Sequence, residues 1–269
     1  MSEALSPEGG RPPTPPEEAV LTEEDGAVLI ITINRPEARN AVNGAVAQGI
    51  AAALDELDSR KDLSVGILTG AGGTFCAGMD LKGFLTGDNP IVEGRGFAGI
   101  VERPAAKPLI AAIEGYALAG GCEVALACDM VVAARDAKFG LPEPSRGLVA
   151  AGGGLLRLPR RIPYHIAMEI ALTADKYPAD RMAELGFVNR LVEPGEALAA
   201  AKELALKIAE NAPLALAATK KIIVESADWS DEEAWQKQGE IVMPVFGSKD
   251  AQEGPAAFAE KRKPVWKGE

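Results

Sequence analysis

Residues 115–129 read "GYALAGGCEVALACD", a small and apolar run that holds one carboxylate, Glu123, just after a glycine pair. Burying a carboxylate without a partner costs several kcal/mol or forces it to take up a proton. Glu123 is therefore either tied to a partner or put to work. A helix beginning at Gly120 carries Glu123 on the same face within its first turn. The first backbone N–H groups of such a helix lack intrahelical partners and favour negative charge. Just upstream, "KPLIAAIEG" (107–115) reads as a strand, and downstream "MVVAA" (130–134) and "AKFGL" (137–141) read as two more.

Moving outward, the pattern repeats. "GAVLIITINRP" (26–36) is a strand bounded by Gly and Pro, and "SVGILTG" (64–70) is a short buried strand that runs into the glycine-rich turn "AGGTFCAGMDLKGF" (71–84). Between them, residues 44–62 place Val46, Ile50, Ala53, Leu54 and Leu57 on one helical stripe. Strands alternating with helices at this pace indicate an α/β layered core with several crossovers. From about residue 151 the pattern turns mostly helical, interrupted by one expected strand, "FVNRLV" (187–192).

With 269 residues, 47% hydrophobic and 25% charged, the chain has the composition of a soluble globular protein with room for a sizeable core. The formal charge of −11 argues against non-specific nucleic-acid binding. No uncharged run reaches the roughly 18 residues of a membrane-spanning helix. The first twenty residues carry prolines and glutamates in place of a basic start and an apolar centre, so they are expected to form a disordered tail on a cytoplasmic protein. The three cysteines match neither a disulfide framework nor a zinc site and read as small buried hydrophobes. The single histidine, His165, lies in "PYHIAMEI" and reads as a surface or capping residue; no metal site is expected.

A dinucleotide fingerprint fails at its third glycine, because "GAGGTF" (70–75) puts Phe75 there, and no P-loop motif occurs. What remains are two turns after strands, "CAGMD" (76–80) and "LAGGCE" (118–123), each exposing backbone N–H groups. Glycines after strands are usually turn chemistry alone. Two amides converging on one point, however, form an oxyanion hole. Glu143, in "FGLPEPSRG" (139–147), follows a strand and has Pro142 and Pro144 beside it. A lone glutamate in a loop is ordinarily solvated. Paired with Glu123 at an oxyanion hole, it would supply an acid and a base around a polarised carbonyl.

At this point the sequence resembles the crotonase superfamily, the enoyl-CoA hydratases and isomerases. The resemblance is carried by "NRPEARNAV" (34–42), "TGAGGTFCAGMDL" (69–81), "KPLIAAIEGYALAGGCEVALACD" (107–129), "AKFGLPE" (137–143) and "FAEKRKP" (258–264), in family order. It implies an α/β spiral of β-β-α units over residues 20–200, after a tail over 1–19, and a helical C-terminal region over 201–269 that builds a homotrimer or a dimer of trimers. It implies an oxyanion hole from the N–H groups of Met79 and Gly120, with Glu123 and Glu143 as catalytic residues holding a water between them. Ala38, Arg39, Ala77, Asp80, Leu81, Lys82 and Lys261 correspond to CoA-binding positions, Lys261 in some relatives serving a neighbouring subunit. Phe258 corresponds to an acyl-pocket residue, and the segment 82–97 is expected to shape that pocket.

The acyl-CoA thioester is the substrate, and no further cofactor is implied. Two departures stand out: Glu37 occupies a position that is often basic, and Pro144, Ser145 and Arg146 replace common aliphatic residues. The activity implied is reversible hydration of a 2-enoyl-CoA. The alternatives are an enoyl-CoA isomerase, a hydroxyacyl-CoA dehydratase of the carnitinyl-CoA kind, or a non-catalytic acyl-CoA-binding protein. Only the last would be kinetically indifferent to loss of either glutamate.

Overall fold

The computed structural model describes residues 15–269. Continuous apolar runs belong in strands covered on both faces. The inner strands of the largest sheet are such runs: β2 (Val28–Ile33), β3 (Val65–Gly70), β4 (Leu109–Ile113) and β6 (Met130–Ala134); β1 (Val20–Asp25), mostly exposed, and β9 (Arg190–Val192), half-buried, form its edges, in the order β1-β2-β3-β4-β6-β9. Only the β1–β2 pair is antiparallel; β2 to β9 run parallel. A second, three-stranded sheet, in the order β8-β7-β5, combines β5 (Tyr116–Leu118), β7 (Lys138–Gly140) and β8 (Tyr177–Pro178).

The repeating unit is a strand of the large sheet, a strand or bridge turned away from it, and then a helix. β4 and β5 lead into α2 (Gly120–Ala127), while β6 and β7 lead through a short turn to α3 (Gly154–Arg161). Earlier units use single bridges: β2 leads through the Val42–Met79 pairing to α1 (Gly44–Ser59), and β3 leads through the Cys76–Ala117 pairing and Met79 to a short helix, Leu81–Leu85. In α1 the expected stripe faces the core, and Asn43 caps its start by accepting the Val46 N–H at 3.0 Å.

One face of the large sheet packs into the main core. The other, with Val28, Ile30, Val65, Ile67, Ile110 and Val132, is closed by α5 (Ala197–Ala209) through Ala201 and Ala205. The helical second half is therefore more than a cap, and a division at residue 200 falls inside α5. α4 (Tyr164–Thr173) precedes it; α6 (Pro213–Glu225), α7 (Asp231–Phe246) and α8 (Lys249–Ala259) follow. No helix among the described residues is long and apolar enough to cross a membrane.

Two sequence expectations need correction. The expected tail ends too late: Pro16–Ala19 forms a helical turn, Ala19 is fully buried, and its carbonyl accepts the Asn34 N–H at 2.8 Å, extending the β1–β2 hairpin. Residues 1–14 lie outside the described residues. The stretch after 115 is no simple turn into a helix: Tyr116–Leu118 pairs with β7, and Ala117 with Cys76, before the helix starts.

Candidate active site

The two glycine-rich turns touch. A Cβ placed on Gly78, whose φ is +104°, would lie 2.8 Å from the Ala119 Cβ and 3.3 Å from the Gly120 nitrogen, so only glycine lets these backbones approach. Gly121 is equally constrained, since its Cβ would sit 2.2 Å from the Cys76 carbonyl oxygen. Ala119, at φ 51° and ψ −130°, holds a backbone conformation that side chains rarely adopt, and its N–H donates to the Gly140 carbonyl at 2.9 Å. This sharp turn starts α2 at Gly120. Among the described residues, no group accepts a hydrogen bond from the N–H of Met79 or of Gly120. Two unsatisfied donors thus lie at neighbouring peptides.

Glu123 is on the first turn of α2 and only 4% exposed. Its Oε1 accepts the Gly154 N–H at 2.9 Å. A Cβ on Gly152 would stand 2.7 Å from Oε2, and one on Gly154 would stand 3.1 Å from Oε1. The three consecutive glycines 152–154, leading into α3, thus wrap the carboxylate. Burial is the main force on Glu123 and raises its pKa from 4.5 to about 7, aided by the negative charge of Glu143 and opposed by the Gly154 and Gly152 amides and by Arg157.

Glu143 opens a short 3-10 turn, Glu143–Arg146, one residue past Pro142. It is 8% exposed, and its Oε2 has no hydrogen-bond partner among the described residues. Burial pushes its pKa upward too, against Arg146. The Ala119 N–H bond to Gly140 draws the end of β7, and with it Glu143, toward the start of α2. The arrangement combines two buried carboxyl groups that feel each other with two amides free to hold a developing negative oxygen. Such a set can move a proton beside a carbonyl and stabilise the enolate that results.

Comparison with known proteins gives the same direction. A family model described as enoyl-CoA hydratase/isomerase matches residues 23–269. The chain belongs to the enoyl-CoA hydratase/isomerase family. It is 43% identical over 251 residues to "Enoyl-CoA hydratase EchA19" of Mycobacterium tuberculosis, covering 91% of this chain and 94% of that protein. It is 42% identical over 251 residues to a carnitinyl-CoA dehydratase of Proteus mirabilis, covering 90% and 96%. The crystal structure of an enoyl-CoA hydratase from Mycobacterium tuberculosis H37Rv superposes with a TM-score of 0.92 at 62% identity, over 94% of this chain and all of that one. Membership of the enoyl-CoA hydratase/isomerase family makes the chain an enzyme with the crotonase fold.

Within that family frame, the expected CoA positions fall into two groups. Arg39, in the left-handed region after the Pro36–Ala38 turn, accepts the Ala77 N–H at its carbonyl, and Asp80 donates its N–H to Val42. Ala38, Arg39, Ala77, Asp80, Leu81 and Lys82 therefore share one surface, with Arg39 and Lys82 exposed. The Asp80 side chain caps the Leu81–Leu85 helix at Lys82 and Gly83 and pairs with Arg35 at 3.0 Å. Burial resists its ionisation, but the Gly83 amide and Arg35 outweigh that and hold it below the usual carboxylate range.

Phe258 and Lys261 do not join them. Phe258 is 87% exposed at the end of α8, and Lys261 turns in the left-handed region just beyond. The chain end is anchored elsewhere: Trp266 donates to the Glu210 carbonyl, and Glu269 lies 3.8 Å from Lys61, at the end of the sheet where β3 begins. An apolar cavity of about 390 Å³, walled by Leu141, Pro144, Leu148, Leu158, Tyr164 and Met168, adjoins the Glu143 turn.

The glycine triplet and Arg157 stand beside Glu123 without belonging to the motifs that carry the family resemblance. Three glycines ahead of a helix were the available signal, since they leave its first amides open to an anion.

Proposed function

We propose that this protein is an enoyl-CoA hydratase that adds water reversibly across the C2–C3 double bond of a 2-enoyl-CoA. The observation that carries the reading is the pairing of two buried carboxyl groups, Glu123 and Glu143, with the unpartnered N–H groups of Met79 and Gly120. The thioester oxygen accepts both N–H groups, which form the oxyanion hole. Glu123, ionised, takes a proton from a water as its oxygen bonds to C3. The C2–C3 π electrons shift toward the thioester, and the enolate charge rests against the two amides. Glu143, with one oxygen unpartnered among the described residues, delivers the proton that C2 takes up. The product is a 3-hydroxyacyl-CoA. Proton return between the two carboxyls resets the pair, which titrates as a unit.

No metal or further cofactor takes part in this scheme. Run backward, it is the dehydration of a 3-hydroxyacyl-CoA, compatible with the similarity to carnitinyl-CoA dehydratases. The surface of Ala38, Arg39, Ala77, Asp80, Leu81 and Lys82 receives the CoA phosphates and adenine. Lys261 and Phe258, exposed and away from that surface, serve the site of a second copy. Exposed Trp235, Met243 and Phe246 on α7, and Leu156, Tyr164 and Leu172 on α3 and α4, support assembly into a homotrimer or a dimer of trimers in the cytoplasm.

The test follows double-bond absorbance with 2-enoyl-CoA and 3-enoyl-CoA substrates. Loss of the conjugated signal from the former is expected. Appearance of that signal from the latter, with no loss from the former, would replace hydration by isomerisation.

A further inference from the structure

Arg157 lies on the first turn of α3 and is partly buried, yet no carboxylate pairs with it among the described residues. Its Nη2 donates to the Val101 carbonyl at 2.5 Å. Its Nη1 occupies the space where a Cβ on Gly153 would stand, 2.2 Å from that position, against a backbone with φ +90°. The glycines on either side of Gly153 are the two that contact the Glu123 carboxylate. Val101 closes the segment that begins at Phe97, whose ring leaves no room for a Cβ on Gly120. A single guanidinium thus touches the loop that holds the carboxylate and the segment that walls one of the two open amides.

The groups around Glu123 are few. Glu143 faces it from the 143–146 turn, the Gly152 and Gly154 amides from the start of α3, and Arg157 from the same helix. Cys122, beside it on α2, is held neutral by burial, which pushes the thiol up to about 12. Around Arg157 itself stand Arg161, Glu123 and Cys128, a second thiol raised to about 12. Among the described residues, Arg157 is the cation that acts on Glu123, and a charge in a partly dry setting acts with little screening.

We propose that Arg157 is a positioning residue for Glu123, pinning the glycine loop that cradles the carboxylate and keeping that carboxylate ionised at the pH where it must take a proton from water. The inference rests on the reading of Glu123 as the base. Neutralising Arg157 removes the charge that favours the anion, so the Glu123 proton is held more tightly and the acid limb of activity moves to higher pH.

The test compares wild type, R157M, R157K and E123Q in hydration of a 2-enoyl-CoA across pH 5–9. For R157M the acid limb of kcat/KM moves to higher pH, activity at pH 6 falls about threefold and recovers toward pH 9, and KM barely changes. R157K, which keeps the charge, restores most of the limb. A loss in R157M that is equal at every pH, no loss at all, or an R157K profile that matches R157M would overturn the proposal. Should R157M fail to fold, G153A displaces the guanidinium while retaining it: an upward shift of the limb supports the proposal, and an unmoved limb refutes it. A fully active E123Q would instead remove the underlying reading of Glu123.

Discussion

The two carboxyl groups of the site stand in unlike surroundings. Glu123 is carried by a regular helix, grips an amide from a helix that begins 31 residues later, and is wrapped by glycines at both oxygens. Glu143 sits on a four-residue turn between prolines, with one oxygen left unpartnered among the described residues. The first is fixed in place by hydrogen bonds that favour its charged form. The second is held mainly by backbone restriction and keeps a free oxygen to hand a proton across. The contrast fits the proposed division of work: the carboxylate gripped by amides is fixed to orient a water, and the one with a free oxygen is placed to hand a proton across.

The sharpest way to break this contrast is to remove each proton carrier. E123Q and E143Q are each expected to lower kcat for hydration by about 10²–10⁴-fold while CoA affinity stays near the wild-type value. An active E143Q beside an inactive E123Q would show that the site works with one carboxylate, as an isomerase would.

Next in size is an attack on the cradle alone. In G152A a methyl would stand 2.7 Å from Glu123 Oε2 and displace the carboxylate, with kcat falling about tenfold to a hundredfold. P144A, which loosens the Glu143 turn, is expected to cost only a few-fold. If the two variants behaved alike, both carboxyls would depend equally on their supports.

The pH profile sharpens the comparison without any mutation. Activity should fall as pH drops through about 7, because Glu123 must be ionised to act as base. A second fall at high pH is expected once the pair has lost the proton it must deliver to C2. The two limbs belong to the pair.

The smallest effect concerns stability. The folded-state pKa of Glu123 lies above the 4.5 of an ordinary glutamate, so folding is penalised once pH exceeds 4.5, and the full penalty applies above about 7. E123Q should therefore be more stable than wild type by ~1–3 kcal/mol at pH 8, the difference vanishing toward pH 4.5. Denaturant unfolding at the two pH values measures it. A variant that loses activity yet gains stability marks a residue kept for chemistry.

Part of the candidate site was legible in local sequence: Glu123 after a glycine pair and Glu143 between prolines stand out by residue type, whereas the Met79 and Gly120 donors are backbone groups that only the family resemblance pointed to. The strand expected over 130–134 matches the observed one, and the stripe on α1 is the buried face. Other features were not legible. β5 is three residues long and forms because Cys76 and β7 are already in place, so no periodicity could reveal it. The covering of the sheet by α5 depends on alanines that suit any helix.

Sequence alone determined the alternation of strands and helices, and the presence of two acids among glycine turns, because those depend on burial periodicity and on backbone preferences within a few residues. Only the tertiary structure decided that Glu123 meets Gly152 and Gly154, that Gly78 lies against Gly120, and that Arg157 leans on Gly153. Each of those contacts but the last joins segments tens of residues apart. They form when the coiling of successive units brings turn against turn, and a local reading of propensities carries no term for that approach.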